Sequence, residues 1–414
     1  MLTITVTCTR PAQIFAMAEV AEFEVSVVSE AALPADVEVT VQLSCDTQLV
    51  LSETTFRPAA GATHRVRGAM PYPGFLRCRA FAEVAGEKVQ GECGVAFAPE
   101  CIRPVRPEPA DFDAFWTRAL ARLDEVPPDV DCQEAPDLST DDYTAYRVSL
   151  ANIGGTRLYG LLTVPSAKYG PGPFPAVFEV PSAGPPVRSP EGFAFRARPR
   201  DYIIFNVNVF DFDSVGPDAS ASQQAYAELT KEGTYTSNGQ QSREEFFYYR
   251  PVVGCHRAVQ WLYERDDVDR RHFVCYGGSQ GGGMGFNQVA LGGGRFTAAL
   301  FHIPFLCDTG GVLIGRHPGR KIAAGVELET ALRTMAYFDP VYFARRITCP
   351  VMVTIGFVDN TCCPSGIYAA YNQLTGEKVV LNCLESGHGK DFNYGRHRAP
   401  MYAWLTNRMR RDFE

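Results

Sequence analysis

The chain is 414 residues long, 46% hydrophobic and 21% charged, with a formal net charge of −8. That length and apolar content allow two or three domains with sizeable cores. The acidic balance argues against nucleic acid as a partner, since phosphate binding relies on clustered Lys and Arg, and no apolar run reaches the roughly 18 residues of a membrane-crossing helix.

The first residues, 1–8, alternate like a strand and lack the basic start and apolar stretch of a signal peptide. Short period-two runs recur at residues 23–28, 37–43, 64–67, 76–84 and 88–97, separated by turn residues such as those at 34–36 and 71–74. Such spacing predicts a small β-sandwich over residues 1–98. It has no titratable cluster of its own, so its expected role is structural or partner-binding, with carbohydrate binding as the sharper alternative. Residues 99–111 carry four prolines and read as a linker.

Asp111 then offers a cap to a helix over residues 112–123, with Phe112, Phe115, Trp116 and Leu120 on one face. A strand pair follows at 143–150 and 157–164. Beyond it, strands are expected at 176–180, 202–209, 273–276, 297–302, 351–356 and 379–384. Helices are expected at 245–265, 282–290, 327–337, 364–373 and 399–410. This alternation predicts an α/β domain over residues 112–414, a mostly parallel sheet flanked by helices. The polar stretch 214–244 has no clear period and reads as a long loop, a lid or contact surface.

Within this domain, residues 272–283 run from a short apolar strand into Gly277-Gly278-Ser279-Gln280-Gly281 and on towards a helix. That is the form of a nucleophile elbow, in which a serine sits on a strained strand-to-helix turn. Gly277 and Gly281 occupy positions where a Cβ would meet the neighbouring strand or helix. The turn would lift the Ser279 hydroxyl clear of the sheet and aim the Gln280 N–H at a developing oxyanion.

A serine nucleophile needs a base to take its proton and a carboxylate to orient that base. Of the histidines after Ser279, His302 ends an apolar strand, His317 lies in a polar turn and His397 begins the last helix. His388 lies in a glycine-flanked loop directly after the strand at 379–384, where sites on such sheets gather. It is the expected base. Asp359 follows the strand at 351–356 and so reaches the same rim, in the order serine, acid, histidine. Asp308 and Asp339 are rivals, but Asp339 precedes a proline and reads as a turn or cap, and Asp391 follows His388 too closely. The second oxyanion donor is expected from the loop at 180–186. Pro181 has no N–H there, so Ser182 or Ala183 must donate, and Ser182 is favoured. Phe210, Phe305 and Phe357, with Pro181 and Phe212, are the expected rim of a small acyl pocket.

Thirteen cysteines are scattered without a Cys-x-x-Cys pair or zinc spacing. Cys275, Cys307, Cys349 and Cys383 lie in apolar runs, as reduced buried thiols do. The expectation is a cytoplasmic protein with no metal and no cofactor; a secreted or periplasmic one follows if a signal peptide has been trimmed.

Four segments together resemble the acetyl xylan esterase and cephalosporin C deacetylase family of carbohydrate esterases. They are residues 109–116 (PADFDAFW), 277–283 (GGSQGGG), 303–308 (IPFLCD) and 359–365 (DNTCCPS). The resemblance covers roughly residues 100–412. It implies an α/β-hydrolase that removes small acyl groups, chiefly acetyl, from sugar hydroxyls, with Ser279 as nucleophile, Asp359 as acid and His388 as base. The chain departs from the pattern at Phe210-Asp211-Phe212, where the family carries Arg-Gly-Gln, and at His388-Gly389, where it carries His-Glu. The family's ring-like hexamers imply a homo-oligomer. Within the same fold, the alternatives are a general carboxylesterase or a peptidase, for which Glu244-Glu245 would be the amine anchor. Outside it, the alternative is a non-catalytic carbohydrate-binding protein.

Overall fold

The structure, a computed structural model, describes residues 2–29, 37–59, 62–195, 201–317, 319, 322–388 and 394–409, with 394 and 395 described by their backbone alone. Its first eight strands are β1 (Leu2–Cys8), β2 (Ile14–Phe15), β3 (Ala21–Ser29), β4 (Val39–Cys45), β5 (Leu49–Phe56), β6 (Thr63–Gly68), β7 (Gly74–Val84) and β8 (Glu87–Phe97). They form one sheet in the order β1-β3-β6 and a second in the order β2-β8-β7-β4-β5. Alternation explains how the two sheets face each other. In β3, Ala21, Phe23, Val25 and Val27 are buried, as are Val39, Val41 and Leu43 in β4, and these join one core with Ala80 and Val95. Two of these strands were missed from sequence: β2 is only two residues long, and β5 is exposed along nearly its whole length, so hydrophobic patterning had little to mark either.

The larger sheet has nine strands. To those above it adds β9 (Asp131–Glu134), β10 (Tyr143–Ala151), β11 (Arg157–Pro165), β12 (Phe174–Val180), β13 (Ile203–Val207), β14 (Val268–Gly278), β15 (Ala298–His302), β16 (Val351–Gly356) and β17 (Lys378–Cys383). Their order is β17-β16-β15-β14-β12-β13-β11-β10-β9. The run from β13 through β12 to β17 is parallel, and β9, β10 and β11 add an antiparallel flank. Strands β12, β15 and β16 are buried at every residue, as expected of strands covered on both faces. The helices are α1 (Phe112–Asp124), α2 (Ala219–Thr230), α3 (Tyr249–Glu264), α4 (Gln280–Leu291), α5 (Leu328–Ala336), α6 (Pro340–Phe343), α7 (Pro364–Tyr371) and α8 (Tyr394–Asn407).

Three differences from the sequence expectations have physical reasons. The stretch 214–244 is not wholly loop: it contains α2, whose start is fixed by the Asp218 carboxylate accepting from the N–H groups of Ser220 and Ala221. Its polar composition hid the helical period. Edge strand β9 is exposed throughout and carries no alternation. Helix α8 begins at Tyr394 and carries Pro400 inside it, where the expectation placed the start at 399; residue 410, its expected end, lies outside the described residues.

The chain places β13 and β14 on opposite sides of β12, so the strand order reverses there. Such a switch point opens a crevice at the carboxyl ends of the strands. The segment between the two units is fastened to the larger one. Val105 N–H donates to Asp308 (2.9 Å), Arg106 makes two 2.7 Å bonds to Glu329, and Glu108 pairs with Arg346 (2.9 Å). Phe75 of β7 and Ala96 of β8 are fully buried in the core of the larger unit.

Candidate active site

Ser279 follows β14 and begins α4, with φ +52° and ψ −117°. A residue with a side chain is strained there by about 1–3 kcal/mol, and the surroundings hold it in place. Its N–H donates to the His302 carbonyl (2.9 Å), and its own carbonyl accepts from Phe305 N–H (2.8 Å). The flanking glycines are required by contact. A Cβ on Gly277 would lie 2.1 Å from the Gly281 carbonyl in α4, and one on Gly281 would lie 2.0 Å from the Val180 carbonyl at the end of β12.

The loops after β16 and β17 bring the other two residues to this hydroxyl. Ser279 Oγ lies 3.1 Å from His388 Nε2, and His388 Nδ1 lies 2.8 Å from Asp359 Oδ2. The other oxygen of the carboxylate, Oδ1, accepts from Thr361 N–H (2.7 Å) and Cys362 N–H (2.8 Å). A carboxylate offers only acceptors, so the contact with His388 places the ring proton on Nδ1. Nε2 is then left to accept the serine proton. Ser279 is partly exposed, while Asp359 is 2% exposed.

The rejected candidates are engaged elsewhere. His302 is buried with Nδ1 2.6 Å from Thr354 Oγ1, and burial lowers its pKa to about 3. His317 Nδ1 accepts from Gly319 N–H (2.9 Å), and His397 lies on α8 in a cleft against the N-terminal unit. Asp308 forms a buried pair with Arg316 (2.6 Å). Asp339 accepts from the N–H groups of Asp308, Thr309 and Val341, the last at the start of α6, and is the cap its proline suggested. Asp391 and Gly389 lie outside the described residues.

The outer site differs more from expectation. Gln280 N–H opens α4 and so has no acceptor within the helix. Its side chain is buried, accepting at Oε1 from the hydroxyls of Tyr235 and Tyr248, both at 3.0 Å. Neither tyrosine was signalled, since both lie outside any motif. Ser182 Oγ donates to the Gly278 carbonyl (3.0 Å), bracing the elbow from the β12 loop. Phe305 adjoins Ser279 through its backbone. Phe357 does not line the rim: it is fully buried, its ring edge-on to Phe75 of β7 at 4.9 Å. Phe210 is also withdrawn, 4% exposed and packed on Phe212, Tyr226 and Tyr235. It lines a cavity of about 290 Å³ whose walls include neither Ser279 nor His388. The side chain that does sit beside the nucleophile is Cys362, its sulfur 3.9 Å from Ser279 Oγ. Burial pushes that thiol well above the usual range and keeps it neutral.

Asp359, Cys362 and His388 present ligand atoms within 4.8 Å of one another, a set a soft divalent ion could use. The hydrogen bonds just described already engage both carboxylate oxygens and Nδ1. Glu244 pairs with Arg122 of α1 at 3.2 Å and Glu245 accepts from Gln241, and both line the Phe210 cavity, whose walls include neither Ser279 nor His388.

An acetyl xylan esterase family model matches residues 100–407. The chain belongs to the acetyl xylan esterase family. It is 31% identical over 357 residues to acetyl esterase Axe7A of Xylanibacter ruminicola, a match covering 84% of this chain and 78% of that protein. Such a share is too large to fall within residues 100–414 alone, so it reaches into the N-terminal β-unit. Among solved structures, an acetyl xylan esterase from Paenibacillus sp. R4 superposes with a TM-score of 0.62 at 24% identity, over 75% of this chain and 98% of that one. Acetyl xylan esterase 1 from Thermoanaerobacterium sp. JW/SL YS485 gives 0.57 at 20% identity, over 74% and 97%. The larger unit is therefore an α/β-hydrolase. Both solved chains are accounted for almost whole by three quarters of this one, and the quarter left over is the size of the β-unit.

Proposed function

We propose that this protein is a serine esterase that removes acetyl groups from acetylated carbohydrates. The observation that carries the reading is the continuous path from Ser279 Oγ through His388 to Asp359, at 3.1 and 2.8 Å, on a strained elbow at the switch point of the sheet. Family membership supplies the substrate class, as the relatives are named for acetyl ester hydrolysis.

The mechanism follows from the geometry. Ser279 Oγ attacks the acetyl carbonyl as its proton passes to His388 Nε2, and Asp359 stabilises the imidazolium through Nδ1. The oxyanion is received by Gln280 N–H and by a second N–H from residue 182 or 183. His388 then protonates the departing sugar oxygen, leaving an acetyl-enzyme. Water, activated by the same nitrogen, attacks that ester and releases acetate. Ser182 serves this site by holding the elbow through its side chain.

The test is acetate release from a panel of acetylated mono-, oligo- and polysaccharides, with fluorophosphonate labelling in parallel. Ser279→Ala is expected to lose both labelling and several orders of magnitude of rate, with unfolding unchanged. Labelling without acetate release from any carbohydrate would favour a general carboxylesterase. A few percent of activity left in a folded Ser279→Ala protein would remove the elbow from the mechanism.

A further inference from the structure

We infer that the N-terminal β-unit is part of the catalytic apparatus, and that Arg77 of β7 is a positioning residue for the loop that carries the acid. The inference rests on Asp359 being that acid. The Arg77 side chain is fully buried. Its guanidinium donates to the carbonyls of Val358 (2.9 Å) and Asp359 (3.2 Å) and to Asn360 Oδ1 (3.0 Å). Three consecutive residues are thus tied to one rigid, planar group, and the middle one is the acid. Glu92 of β8 completes the arrangement, lying 2.6 Å from Arg77 and accepting from Asn360 Nδ2 at 3.3 Å.

Backbone packing places β7 and β8 directly on this loop. Phe75 meets the Phe357 ring edge-on, and a Cβ on Gly94 would lie 2.2 Å from the Phe357 carbonyl. The loop is therefore held from two sides. Within the hydrolase, Thr361 and Cys362 fix the carboxylate; from the added unit, Arg77 fixes the backbone that bears it. Buried carbonyls need donors, and here a different unit supplies them. The superposed solved relatives match only three quarters of this chain, whereas the similarity to Axe7A extends into the unit that contains Arg77's neighbours.

A residue that only fastened two units together would change stability and leave turnover per folded site alone. The experiment uses the whole 414-residue chain with active sites counted by fluorophosphonate titration. Arg77→Met and Arg77→Lys are compared with wild type and Asp359→Asn on p-nitrophenyl acetate. For Arg77→Met, kcat per titrated site is expected to fall about 10- to 100-fold with little change in KM, the scale of a misplaced catalytic group. Arg77→Lys should recover part of the loss, and millimolar guanidinium should partly rescue Arg77→Ala. Wild-type kcat in folded Arg77→Met, with Asp359→Asn inactive, would overturn the inference and leave the triad standing. Full activity of Asp359→Asn would remove both. Should no Arg77 variant fold, Glu92→Gln decides: a several-fold loss in kcat supports positioning, and unchanged kcat assigns Arg77 to assembly alone.

Discussion

Replacing Asp359 with asparagine forces a choice that the hydrogen bonds make visible. The carboxylate serves three donors: Thr361 N–H and Cys362 N–H on Oδ1, at 2.7 and 2.8 Å, and His388 Nδ1 on Oδ2, at 2.8 Å. An amide has one acceptor oxygen to place. Turning it towards His388 would leave the NH2 group facing two backbone donors, of which the Cys362 N–H is buried, and an unmet buried donor costs about 1–3 kcal/mol. Turning it towards the two N–H groups keeps both bonds and presents the NH2 to His388. The second arrangement wins by about 1–3 kcal/mol from the Cys362 donor alone. It obliges His388 to accept at Nδ1, so its proton moves to Nε2, which then faces Ser279 Oγ and cannot take the serine proton. A triad held in the wrong tautomer loses about 10⁴ in kcat, or about 5.5 kcal/mol of transition-state stabilisation. The measurement is steady-state hydrolysis of p-nitrophenyl acetate, with circular dichroism to establish folding. More than a tenth of wild-type kcat in a folded Asp359→Asn protein would refute this reasoning.

With the Cys362 sulfur 3.9 Å from Ser279 Oγ, kcat/KM should fall by at least about tenfold from acetyl to butyryl esters; equal or better turnover of butyryl esters would point to a general carboxylesterase. Burial, reinforced by Arg295, lowers the pKa of His256 in α3 from 6.5 to about 4. The unfolded chain therefore takes up a proton that the folded one refuses as pH falls from 6.5 to about 4, and up to about 3 kcal/mol of stability is lost across that window. Urea unfolding of His256→Asn should show a shallower decline over the same range, and parallel curves would exclude the histidine as its source. Chelators should leave kcat unchanged, since hydrogen bonds already engage both Asp359 oxygens and His388 Nδ1; activity lost to a chelator and restored by zinc would contradict this.

The juxtaposition of Ser279, His388 and Asp359 was legible because each of the three is marked locally. The elbow needs glycine where Gly277 and Gly281 stand, since Cβ atoms there would enter backbone carbonyls. Asp359 and His388 each directly follow a strand with a strong apolar signature, and in a parallel sheet that alone assigns both to one rim. Elements without such marks were missed. Strands β5 and β9 bury little, and α2 owes its start to the Asp218 cap more than to an apolar face. Phe210 and Phe357 misled for a related reason. An aromatic residue after a strand reads the same whether it faces a substrate or a neighbouring unit, and the second unit claimed Phe357.

Arg77 marks the boundary of what local pattern can carry. It shares a face of β7 with Arg79, two positions on, and by alternation alone the two are equivalent. Arg79 donates to Gln42 on the adjacent strand (2.6 Å), an ordinary cross-strand contact within one sheet. Arg77 instead reaches residues about 280 positions further along the chain, where two successive carbonyls and an asparagine side chain lie within 3.2 Å. The sequence separation is what hides it: the acceptors exist only after the β-unit has settled on the rim of the hydrolase sheet. That settling is favoured by apolar contacts, with Phe75 and Ala96 buried in the larger core, and the charge follows the hydrophobic fit. A buried guanidinium is costly unless its donors are met; Nη1 and Nη2 of Arg77 find their acceptors on this loop and on Glu92, while Nε has no partner among the described residues. The same docking that buries Arg77 must therefore bring the acid loop to meet it, so on this reading assembly of the two units and order in the catalytic loop form a single event.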